Sequence, residues 1–419
     1  RLDPDAIGEL GKKLERGAVL VSATNGKTTT SGMLAGMLER SGAEVVHNRA
    51  GSNMNWGVAT ALIDAGRHPA QIGLFEVDEA WLAPVARELD PELILLSNLF
   101  RDQLDRYGEL ELLADRWAEL VAERDGQSTF VLNADDPLVA DLGRERQKVV
   151  YFGVEDRSHS LESLEHASDS KRCRNCGHEY VYEAVYLGHL GRYRCPNCGR
   201  ERPKPAVAAE SVKLRGMHGS DARIATPAGT FELSLPLPGL YNVYNALAAT
   251  AAALELGVST EQIGAALSTF AAAFGRVERL QVGGRELAIL LVKNPAGANE
   301  VLRTLTLEDG ALDIWIALND GIADGRDISW IWDADFELLA GRIGHITCSG
   351  TRAEEMALRL KYAGVDAPIA VERELGRSLD SAVALNGDGR PLYALPTYTA
   401  LLELRDLLAD RGLARRWSD

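Results

Sequence analysis

The chain has 419 residues, of which 46% are hydrophobic, 25% charged and 6% aromatic, a composition typical of folded globular proteins. A chain of this length is too long for one hydrophobic core, so two or three domains are expected. Its 61 acidic and 45 basic residues give a net charge of −16, which argues against broad nucleic-acid binding. No apolar run is long enough to span a membrane and five cysteines do not make a disulfide scaffold, so we expect a cytoplasmic protein whose natural start, before Arg1, is missing.

Short apolar runs alternate with helical patterns over roughly the first 160 residues. The runs that are typical of buried strands lie at 18–23, 44–48, 72–77, 93–98, 129–134 and 148–153. After the first of them comes an amphipathic helix in which Leu34, Met37 and Leu38 share a face and Gly42 serves as the C-cap. The alternation predicts an α/β fold with a parallel sheet, which binds its ligands at the carboxyl ends of the strands.

The stretch SATNGKTTT, residues 22–30, lies where the first strand ends and the first helix begins. It has the Gly-Lys-Thr ending of a nucleotide-binding loop, although Val21 stands in the place of the first glycine. A lysine in the first turn of a helix makes sense when a phosphate lies in front of it, so we predict ATP binding. The alternative is that Ser22, Thr24 and Thr28 only cap the helix. The residues expected around the nucleotide phosphates are Thr24, Asn25, Gly26, Lys27, Thr28 and Thr29.

Acidic and amide side chains follow three of the predicted strands. They are Glu76, Asp78 and Glu79, then Asn98, Asp102 and Asp105, and finally Asn133, Asp135 and Asp136. Carboxylates at neighbouring strand ends could hold Mg²⁺ on the phosphates. We expect the three groups to share one cation-dependent pocket, with Thr28 and Glu76 as the magnesium ligands. The alternative is a set of solvated acidic loops.

Four cysteines give the strongest metal motif. They are Cys173, Cys176, Cys195 and Cys198, with the C-x₂-C-x₁₈-C-x₂-C spacing of a zinc ribbon around a predicted hairpin. Four protein thiolates leave no open position on the metal, so the zinc would be structural. The alternatives are two disulfides or a redox pair. Polar and proline-bearing flanks on both sides lead us to expect an insertion, residues 171–202, in a surface loop.

The alternation of strands and helices restarts after about residue 280, which predicts a second α/β domain. Its strand-like runs are ELAILLVKN, LDIWIALND, HITCSGT and APIAVE. Lys293 is expected to end the first of these strands and to face phosphate, unless it is a surface lysine. Cys348 is expected to be a buried apolar residue. Without a cysteine–histidine pair the chain is not expected to hydrolyse glutamine, so an amidotransferase built on it would need a second subunit for ammonia.

Taken in order, these motifs resemble those of the Mur ligases and folylpolyglutamate synthetases. ATNGKTT matches their shortened G-T-x-G-K-T-T loop with Ala23 in the glycine place, and FEVDEA, NLFRDQLDRYG, VLNADDP, GLYNVYNALAA and FGRVERL follow it. Further stretches are similar to the MurT branch of the family, the ligase-like subunits of lipid II isoglutaminyl synthases. These stretches are NRAGSNMNWGVAT, VKNPAGANEVLRTL, NDGIADGRDISWIWDADFE and LPTYTALLELR. The resemblance covers essentially the whole chain.

The resemblance implies a Mur-ligase-type central ATP-binding domain over residues 1–275, which carries the zinc ribbon, and a Rossmann-like C-terminal α/β domain over 276–419. It implies an ATP- and Mg²⁺-dependent ligase of peptidoglycan synthesis, which amidates the α-carboxyl of D-glutamate in the lipid II stem peptide to D-isoglutamine through an acyl phosphate. Ammonia would come from GatD, a glutaminase partner of the class I type. The work would take place at the inner face of the plasma membrane.

The resemblance also implies roles for single residues. The residues expected near the nucleotide are Asn242, Asn245 and Arg276. Those expected to take part in catalysis are Lys27, Glu76, Lys293 and either Asp327 or Asp333. One of these two aspartates would complete the cysteine–histidine pair of the partner or guide the acceptor carboxylate. The plainer alternative is an aromatic core segment with an acidic surface.

Some residues depart from the family pattern. Gln103 and Tyr241 stand where many relatives have histidine, and Lys293 replaces the histidine of a D-x-A-H-N-P stretch. No lysine follows Tyr107 where some relatives carry a carbamylated one. These changes argue against conventional amino-acid ligation and fit a nucleophile that resembles ammonia. A peptide ligase that adds an amino acid and a noncatalytic nucleotide-binding scaffold remain as alternatives.

Overall fold

The computed structural model describes residues 6–48, 52–66, 72–102, 110–166, 168–271, 276–385 and 389–414. Within these ranges the first part of the chain forms a large sheet and a separate hairpin. The strands are Ala18–Ser22 (β1), Val45–His47 (β2), Ile72–Glu76 (β3), Leu93–Leu96 (β4), Thr129–Asn133 (β5), Val149–Val154 (β6), Val181–Leu187 (β7), Leu190–Arg194 (β8), Val207–Leu214 (β9), Ser220–Thr226 (β10) and Gly229–Leu235 (β11). The six strands predicted for this part are confirmed, with bounds that shift by at most two residues.

The first sheet has the strand order β11-β10-β9-β6-β5-β4-β1-β3-β2, and β7 and β8 form a separate two-stranded hairpin. The strands from β9 to β2 run parallel. The parallel sheet predicted for roughly the first 160 residues is confirmed for β1 to β6, and β10 and β11 add an antiparallel edge that was not predicted. Strands β9 to β11 alternate buried and exposed residues along much of their length, and a half-exposed edge lacks the continuous apolar runs of a buried parallel strand.

Helices cover both faces of this sheet. They are Ala6–Gly11 (α1), Lys27–Arg40 (α2), Asn55–Ala65 (α3), Leu82–Leu89 (α4), Leu110–Glu123 (α5), Pro137–Leu142 (α6), Leu240–Glu255 (α7) and Thr260–Ser268 (α8). Successive side chains of a strand point to opposite faces. Val19 and Val21 of β1 therefore join the core formed with α2 and α7, whereas Leu20 joins the core formed with α3, α4 and α5.

The second part of the chain forms a six-stranded sheet in the order β12-β13-β17-β14-β15-β16. Its strands are Arg276–Val282 (β12), Arg285–Leu290 (β13), Leu312–Ala317 (β14), Ile343–Ser349 (β15), Ile369–Val371 (β16) and Leu392–Pro396 (β17). Its helices are Pro295–Thr306 (α9), Ala353–Tyr362 (α10), Leu375–Ala384 (α11) and Tyr398–Asp410 (α12). Among the strands that the structure describes here, β12 and β13 pair antiparallel and the other neighbours pair parallel. The Rossmann-like α/β architecture expected for this part is confirmed, although β12 and β17 were not predicted.

The proposed domain boundary at residue 275 lies between α8 and β12, and residues 272–275 are outside the described ranges, so the boundary stays a prediction. Across the ranges that the structure describes, no helix combines the length and the hydrophobicity needed to cross a lipid bilayer.

Candidate active site

The loop between β1 and α2 lies where the chain order of the sheet reverses, because β1 has β3 on one side and β4 on the other. Gly26 is the N-cap of α2 with φ 88°, a left-handed conformation that glycine adopts readily. A Cβ atom there would come within 2.1 Å of Asn245 Oδ1. Asn98, after β4, holds the loop: it accepts the Asn25 N–H through its side chain at 2.9 Å and the Thr24 N–H through its carbonyl at 3.0 Å.

Lys27 is the first residue of α2 and its side chain is buried. Its Nζ lies 2.8 Å from Glu79 Oε2 and also donates to the carbonyl of Ala23. Burial lowers the pKa of the ammonium, but the carboxylates of Glu79, Glu76 and Asp78 more than offset this, and the pKa is raised above its ordinary value. Lys27 therefore keeps the positive charge that a phosphate-binding lysine needs.

Glu76 ends β3 with a carboxylate that lacks part of its hydrogen bonding. The residue is 3% exposed, and within the described residues its Oε2 has no hydrogen-bond partner. Asn48 binds the backbone N–H and carbonyl of Glu76 at 2.9 and 2.8 Å but leaves the carboxylate alone. A buried charged oxygen without a partner is costly, and Mg²⁺ prefers such an oxygen as ligand. The residues present fit a magnesium ion, for which we propose Glu76 and Thr28 as ligands.

The acidic group after β5 does not join this site, so the prediction of three groups in one pocket is wrong. Asp135 accepts from the Val154 N–H at 2.8 Å, from the Tyr244 hydroxyl at 2.7 Å and from the guanidinium of Arg202. Asp136 is the N-cap of α6 and also accepts the Leu99 N–H at 2.9 Å. Asn133 is fully buried beside them, and its side chain accepts the Asp135 N–H at 2.9 Å. These carboxylates are fully buried and occupied by donors of the protein itself.

The group after β4 meets the second sheet. Asp102 Oδ2 lies 2.6 Å from Lys293 Nζ, and Asn294 Nδ2 lies 3.0 Å from Asn25 Oδ1 in the phosphate loop. Asn294 is also the N-cap of α9; the sequence analysis gave it no role, although it belongs to the stretch compared with D-x-A-H-N-P. Asp105, predicted beside Asp102, lies outside the described residues.

Lys293 does not end a strand as predicted. Strand β13 ends at Leu290, and Lys293 lies in the loop before α9, which begins at Pro295. Asn294, the residue before Pro295, is extended with φ −154° and ψ 166°, as expected before a proline, and the Val292 N–H still donates to the Pro396 carbonyl of β17 at 3.0 Å. The loop places Lys293 on the wall of a cavity between the two sheets.

A cavity of about 420 Å³ opens between the two sheets. It is lined by parts of the phosphate loop, the acidic ends of β3 and β4, the first turns of α7 and α9, and the tip of the β7–β8 hairpin. Among the residues predicted for the site, the cavity brings together Thr24, Asn25, Gly26, Lys27, Thr28, Thr29, Glu76, Asp78, Glu79, Asn98, Asp102, Asn242, Asn245 and Lys293. Their roles stay predictions.

Three residues were predicted near the nucleotide. Asn245 Oδ1 accepts the Thr30 hydroxyl at 3.2 Å, and its Nδ2 donates to Asn242 Oδ1 at 3.1 Å. Asn242 Nδ2 donates in turn to the Pro238 carbonyl at 2.8 Å. Arg276 begins β12, but its side chain lies outside the described residues.

Glu300 is a cavity residue that the sequence analysis missed. It lies on α9, lines the cavity and is 4% exposed. Burial raises the pKa of its carboxyl to about 7, against the opposing effect of Arg303, whose Nη1 lies 2.5 Å from Glu300 Oε1. Glu300 lies about one and a half helical turns after Asn294. This spacing would predict a cavity residue only if it were known that α9 begins at the cavity.

The structure brings neither Asp327 nor Asp333 to the cavity wall. Asp327 is exposed and accepts the Ser329 N–H at 2.8 Å, a hydrogen bond that lowers the pKa of its carboxyl. The Asp333 carboxylate is 42% exposed and lies 3.4 Å from Arg101 Nη1. Since Arg101 lines the cavity, Asp333 contacts a residue of the cavity wall but does not itself line the cavity.

The four cysteines of the insertion converge, with all four sulfur atoms within 4.8 Å of one another. Cys173 and Cys198 lie 3.6 Å apart and Cys176 and Cys195 lie 3.4 Å apart between sulfur atoms, close to the spacing of about 3.8 Å that Zn–S bonds of 2.3 Å give in a tetrahedron. Hydrogen bonds lower the pKa of the Cys198 thiol to about 6, whereas burial raises that of Cys195 to about 11. The cluster is compatible with zinc, which would have to displace a proton from Cys195.

The insertion is not confined to the surface. Val181, near its outer end, is 45% exposed, but His189, at the tip of the β7–β8 hairpin, is fully buried. The expectation of an insertion in a surface loop is therefore wrong for the tip. Polar flanking residues indicate where an insertion leaves the rest of the fold. They do not indicate whether the tip of its hairpin packs back against the core.

Comparisons with known proteins extend this picture. The family model of the Mur ligase middle domain matches residues 21–199, and that of the MurT ligase C-terminal domain matches residues 291–401. The chain is 33% identical over 409 residues to subunit MurT of the glutamine-hydrolysing lipid II isoglutaminyl synthase of Staphylococcus aureus strain N315, which covers 97% of this chain and 90% of that protein.

A second relative is the same subunit from Streptococcus pneumoniae strain ATCC BAA-255 / R6, 33% identical over 419 residues, covering 99% of this chain and 92% of that protein. Among solved structures, the pseudomurein peptide ligase type C of Methanothermus fervidus is similar, with a TM-score of 0.74 and 22% identity over 96% of this chain and 80% of that one. This last likeness concerns the fold alone.

Proposed function

The chain belongs to the MurT branch of the Mur ligase family, whose members are ATP-dependent ligases, and on that premise we propose that it is the synthetase subunit of a lipid II isoglutaminyl synthase. In this function it amidates the α-carboxyl of D-glutamate in the lipid II stem peptide to D-isoglutamine. Because lipid II is anchored in a membrane, the chain would work at the inner face of the plasma membrane.

One observation carries the proposal: a single cavity holds Lys27 of the phosphate loop, the partnerless carboxylate oxygen of Glu76, and Lys293 from the second sheet. Phosphoryl transfer needs positive charge on both sides of the transferred group and a carboxylate for the metal. The two sheets together supply these groups, which neither sheet supplies alone.

In the first step, an oxygen of the substrate carboxylate attacks the γ-phosphorus of ATP. The bond from this phosphorus to the β–γ bridging oxygen breaks, ADP leaves with that oxygen, and an acyl phosphate forms. The ammonium of Lys27 neutralises the negative charge that spreads over the phosphoryl oxygens, and Lys293 approaches the same oxygens from the second sheet. Mg²⁺, held by Glu76 and Thr28, supplies further positive charge at the phosphates when it is bound.

In the second step, the lone pair of ammonia attacks the carbonyl carbon of the acyl phosphate. The bond between this carbon and the phosphate oxygen breaks, inorganic phosphate leaves, and the nitrogen gives up a proton to the departing phosphate, which leaves the neutral amide.

The ammonia comes from another chain in this proposal. Four of the five cysteines converge in the insertion, and the fifth, Cys348, is fully buried in β15, where burial raises the pKa of its thiol to about 12. Such a thiol does not act as a nucleophile at neutral pH. We therefore infer a glutaminase partner of the class I type, GatD. Asp327 and Asp333 lie off the cavity wall and are accessible to a partner, whose catalytic histidine one of them would orient.

The proposal is tested by release of phosphate from ATP in the presence of Mg²⁺, a lipid II-type D-glutamyl substrate and ammonium chloride, together with detection of the amide. We expect turnover that depends on the substrate. Lys27→Ala should reduce it by at least about 100-fold, because the transition state loses its nearest cation. Lys213→Ala is the matched control, since Lys213 is exposed on β9.

Absence of amide both with ammonium chloride and with glutamine plus the glutaminase subunit would contradict the proposed function. Amide formed only after the glutaminase is added would show that the partner completes this site. Adding an amino acid in place of ammonium tests the peptide-ligase alternative, which predicts an elongated peptide.

A further inference from the structure

The tip of the β7–β8 hairpin, residues 187–190, reaches the active-site cavity. Leu187 and Leu190 both line it, and they are only 5% and 2% exposed. The hairpin belongs to the insertion that carries the four cysteines, so two leucines of the insertion face the space in which the phosphate loop lies. A structural metal insertion has no need for such a contact.

The tip packs against a residue that also contacts the phosphate loop. The ring of His189 lies 4.6 Å from that of Phe100, and a Cβ atom on Gly188 would come within 2.7 Å of the same ring. The backbone N–H of Phe100 donates to the Thr24 hydroxyl at 3.0 Å. His189 also lies 3.3 Å from the carboxylate of Asp136. The tip is therefore held firmly beside the phosphate loop.

A second attachment joins the tip to the other sheet. The carboxylate of Glu165 accepts the N–H of Gly188 and also binds the guanidinium of Arg303. Asn299 Nδ2 donates to the same carboxylate at 2.5 Å. Arg303 and Asn299 lie on α9, the helix that gives Val301 to the cavity wall. The insertion thus fixes the tip against elements of both sheets.

Two chemically different sets of side chains line the cavity. One set is charged and includes Lys27, Glu76 and Glu79. The other set is apolar: Leu187 and Leu190 belong to a hydrophobic cluster that also includes cavity residues after β4, on and just before α7, and on α9. The other members of this cluster that line the cavity are Phe100, Leu237, Tyr241, Tyr244 and Ala296.

A nucleotide has the same division, since its phosphates are charged and its base is flat and weakly polar. With the phosphates at Lys27, the base needs an apolar surface in the same cavity. We propose that Leu187 and Leu190 of the hairpin tip form the wall against which the nucleotide base packs, so that the four-cysteine insertion is part of the ATP site. This inference rests on the proposed ATP-dependent function.

The test compares the binding of ATP with that of tripolyphosphate, which has the phosphates but no base, by calorimetry in Mg²⁺. The variants are Leu187→Ala and Leu190→Ala, and Val181→Ala at the exposed end of the same hairpin is the matched control. We expect each leucine variant to weaken ATP binding by about tenfold, because apolar contact area is lost, and to bind tripolyphosphate as the wild type does. Leu190→Met keeps the side-chain volume and should bind ATP within about threefold of the wild type.

Unchanged ATP binding in both alanine variants would overturn the inference. An equal weakening of ATP and tripolyphosphate would also overturn it, because the tip would then act only by supporting the phosphate loop. Since the readout is binding, it separates this inference from the proposed function. If the wild-type chain binds ATP, the leucine variants weaken that binding, and no amide forms, the proposed function is refuted but the base-binding role of the leucines stands. If the wild-type chain binds no ATP, both proposals are refuted.

Discussion

Two strand ends of the first sheet both carry acidic residues, but the carboxylates at one end line the cavity and those at the other end are hydrogen-bonded within the fold. After β3, the carboxylates of Glu76 and Glu79 line the cavity, and one oxygen of Glu76 has no partner among the described residues. After β5, Asp135 and Asp136 are fully buried and accept hydrogen bonds from backbone, tyrosine and arginine donors. Both ends lie at the carboxyl edge of one parallel sheet.

The difference shows that position at a strand end does not make a carboxylate available to a ligand. What decides is whether the chain brings its own donors to it. Asp135 is reached by Arg202, 67 residues later, and by Tyr244, 109 residues later. Asn48 binds the backbone of Glu76, and the carboxylate of Glu76 lies close enough to Lys27 to raise the pKa of its ammonium, but among the described residues its Oε2 receives no hydrogen bond. An acid with donors of its own stabilises the fold, and one without them is free for a metal.

The largest expected effect is on stability at the β5 end. Asp135→Asn would remove the fully buried carboxylate from the guanidinium of Arg202 and leave it only the partly exposed carboxylate of Glu155, 2.7 Å away. Breaking a buried pair by removing one partner costs about 3–5 kcal/mol, and we expect the lower end of this range because Glu155 remains. Thermal unfolding by calorimetry should show a large fall in melting temperature. The variant should still bind ATP at a temperature at which it is folded. Loss of ATP affinity in the folded variant would place Asp135 in the site after all.

The reverse pattern is expected at the β3 end. Glu76→Gln should lower substrate-dependent phosphate release by about 100-fold, because the amide holds Mg²⁺ poorly. Its melting temperature should equal or exceed that of the wild type, since a buried charge with a partnerless oxygen is removed. A variant that unfolds early but turns over normally would contradict the assignment of Glu76 as a ligand. The double variant with Asp135→Asn should show both losses, independently.

The β4 end is an intermediate case, because Asp102 is satisfied by a cation from the other sheet. Lys293→Met should reduce turnover by about tenfold, since it removes charge from the phosphates and the bridge between the sheets at once. Asp102→Asn should cost less, as it removes the bridge alone, which is partly exposed. Steady-state rates of both variants and of their combination measure this. An Asp102→Asn effect larger than that of Lys293→Met would mean that the carboxylate, not the lysine, faces the substrate.

Glu300 offers the smallest and most pH-dependent effect. Its carboxyl is protonated in the folded chain up to a pH of about 7, but ionises near 4.5 when unfolded. Folding therefore retains a proton in this window, and the contribution to stability falls as pH rises from about 4.5 to 7 and stays level above. Glu300→Gln should gain stability relative to the wild type by at least about 1 kcal/mol between pH 5 and pH 8, and Arg303 keeps the carboxylate of Glu165 as a partner in the variant. Melting temperatures at the two pH values test this, and a difference that does not change with pH contradicts it.

The sequence predicted most of what is local. The apolar runs of β1 to β6, the glycine of the phosphate loop and the cysteine spacing each depend on neighbours within a few residues, and the structure confirms the strands and the convergence of the four sulfur atoms. The roles of the site residues remain predictions.

What the sequence did not predict depends on distant partners. The hairpin tip at His189 returns to Asp136, 53 residues earlier, and Asn294 meets Asn25 across 269 residues. The antiparallel edge β9 to β11 is half-exposed and lacks the pattern that marks a buried strand. Such contacts leave no trace in a local pattern, because each requires that two separate elements already be in place.

The most direct test of the account follows a single oxygen atom. A lipid II-type D-glutamyl substrate labelled with ¹⁸O in its α-carboxyl group is converted with ATP, Mg²⁺ and ammonium chloride, and the inorganic phosphate is analysed by mass spectrometry. Because the carboxylate oxygen attacks phosphorus and leaves with it, the account predicts one labelled oxygen in each phosphate released. Unlabelled phosphate accompanying amide formation would contradict it, since the amide would then have formed without an acyl phosphate.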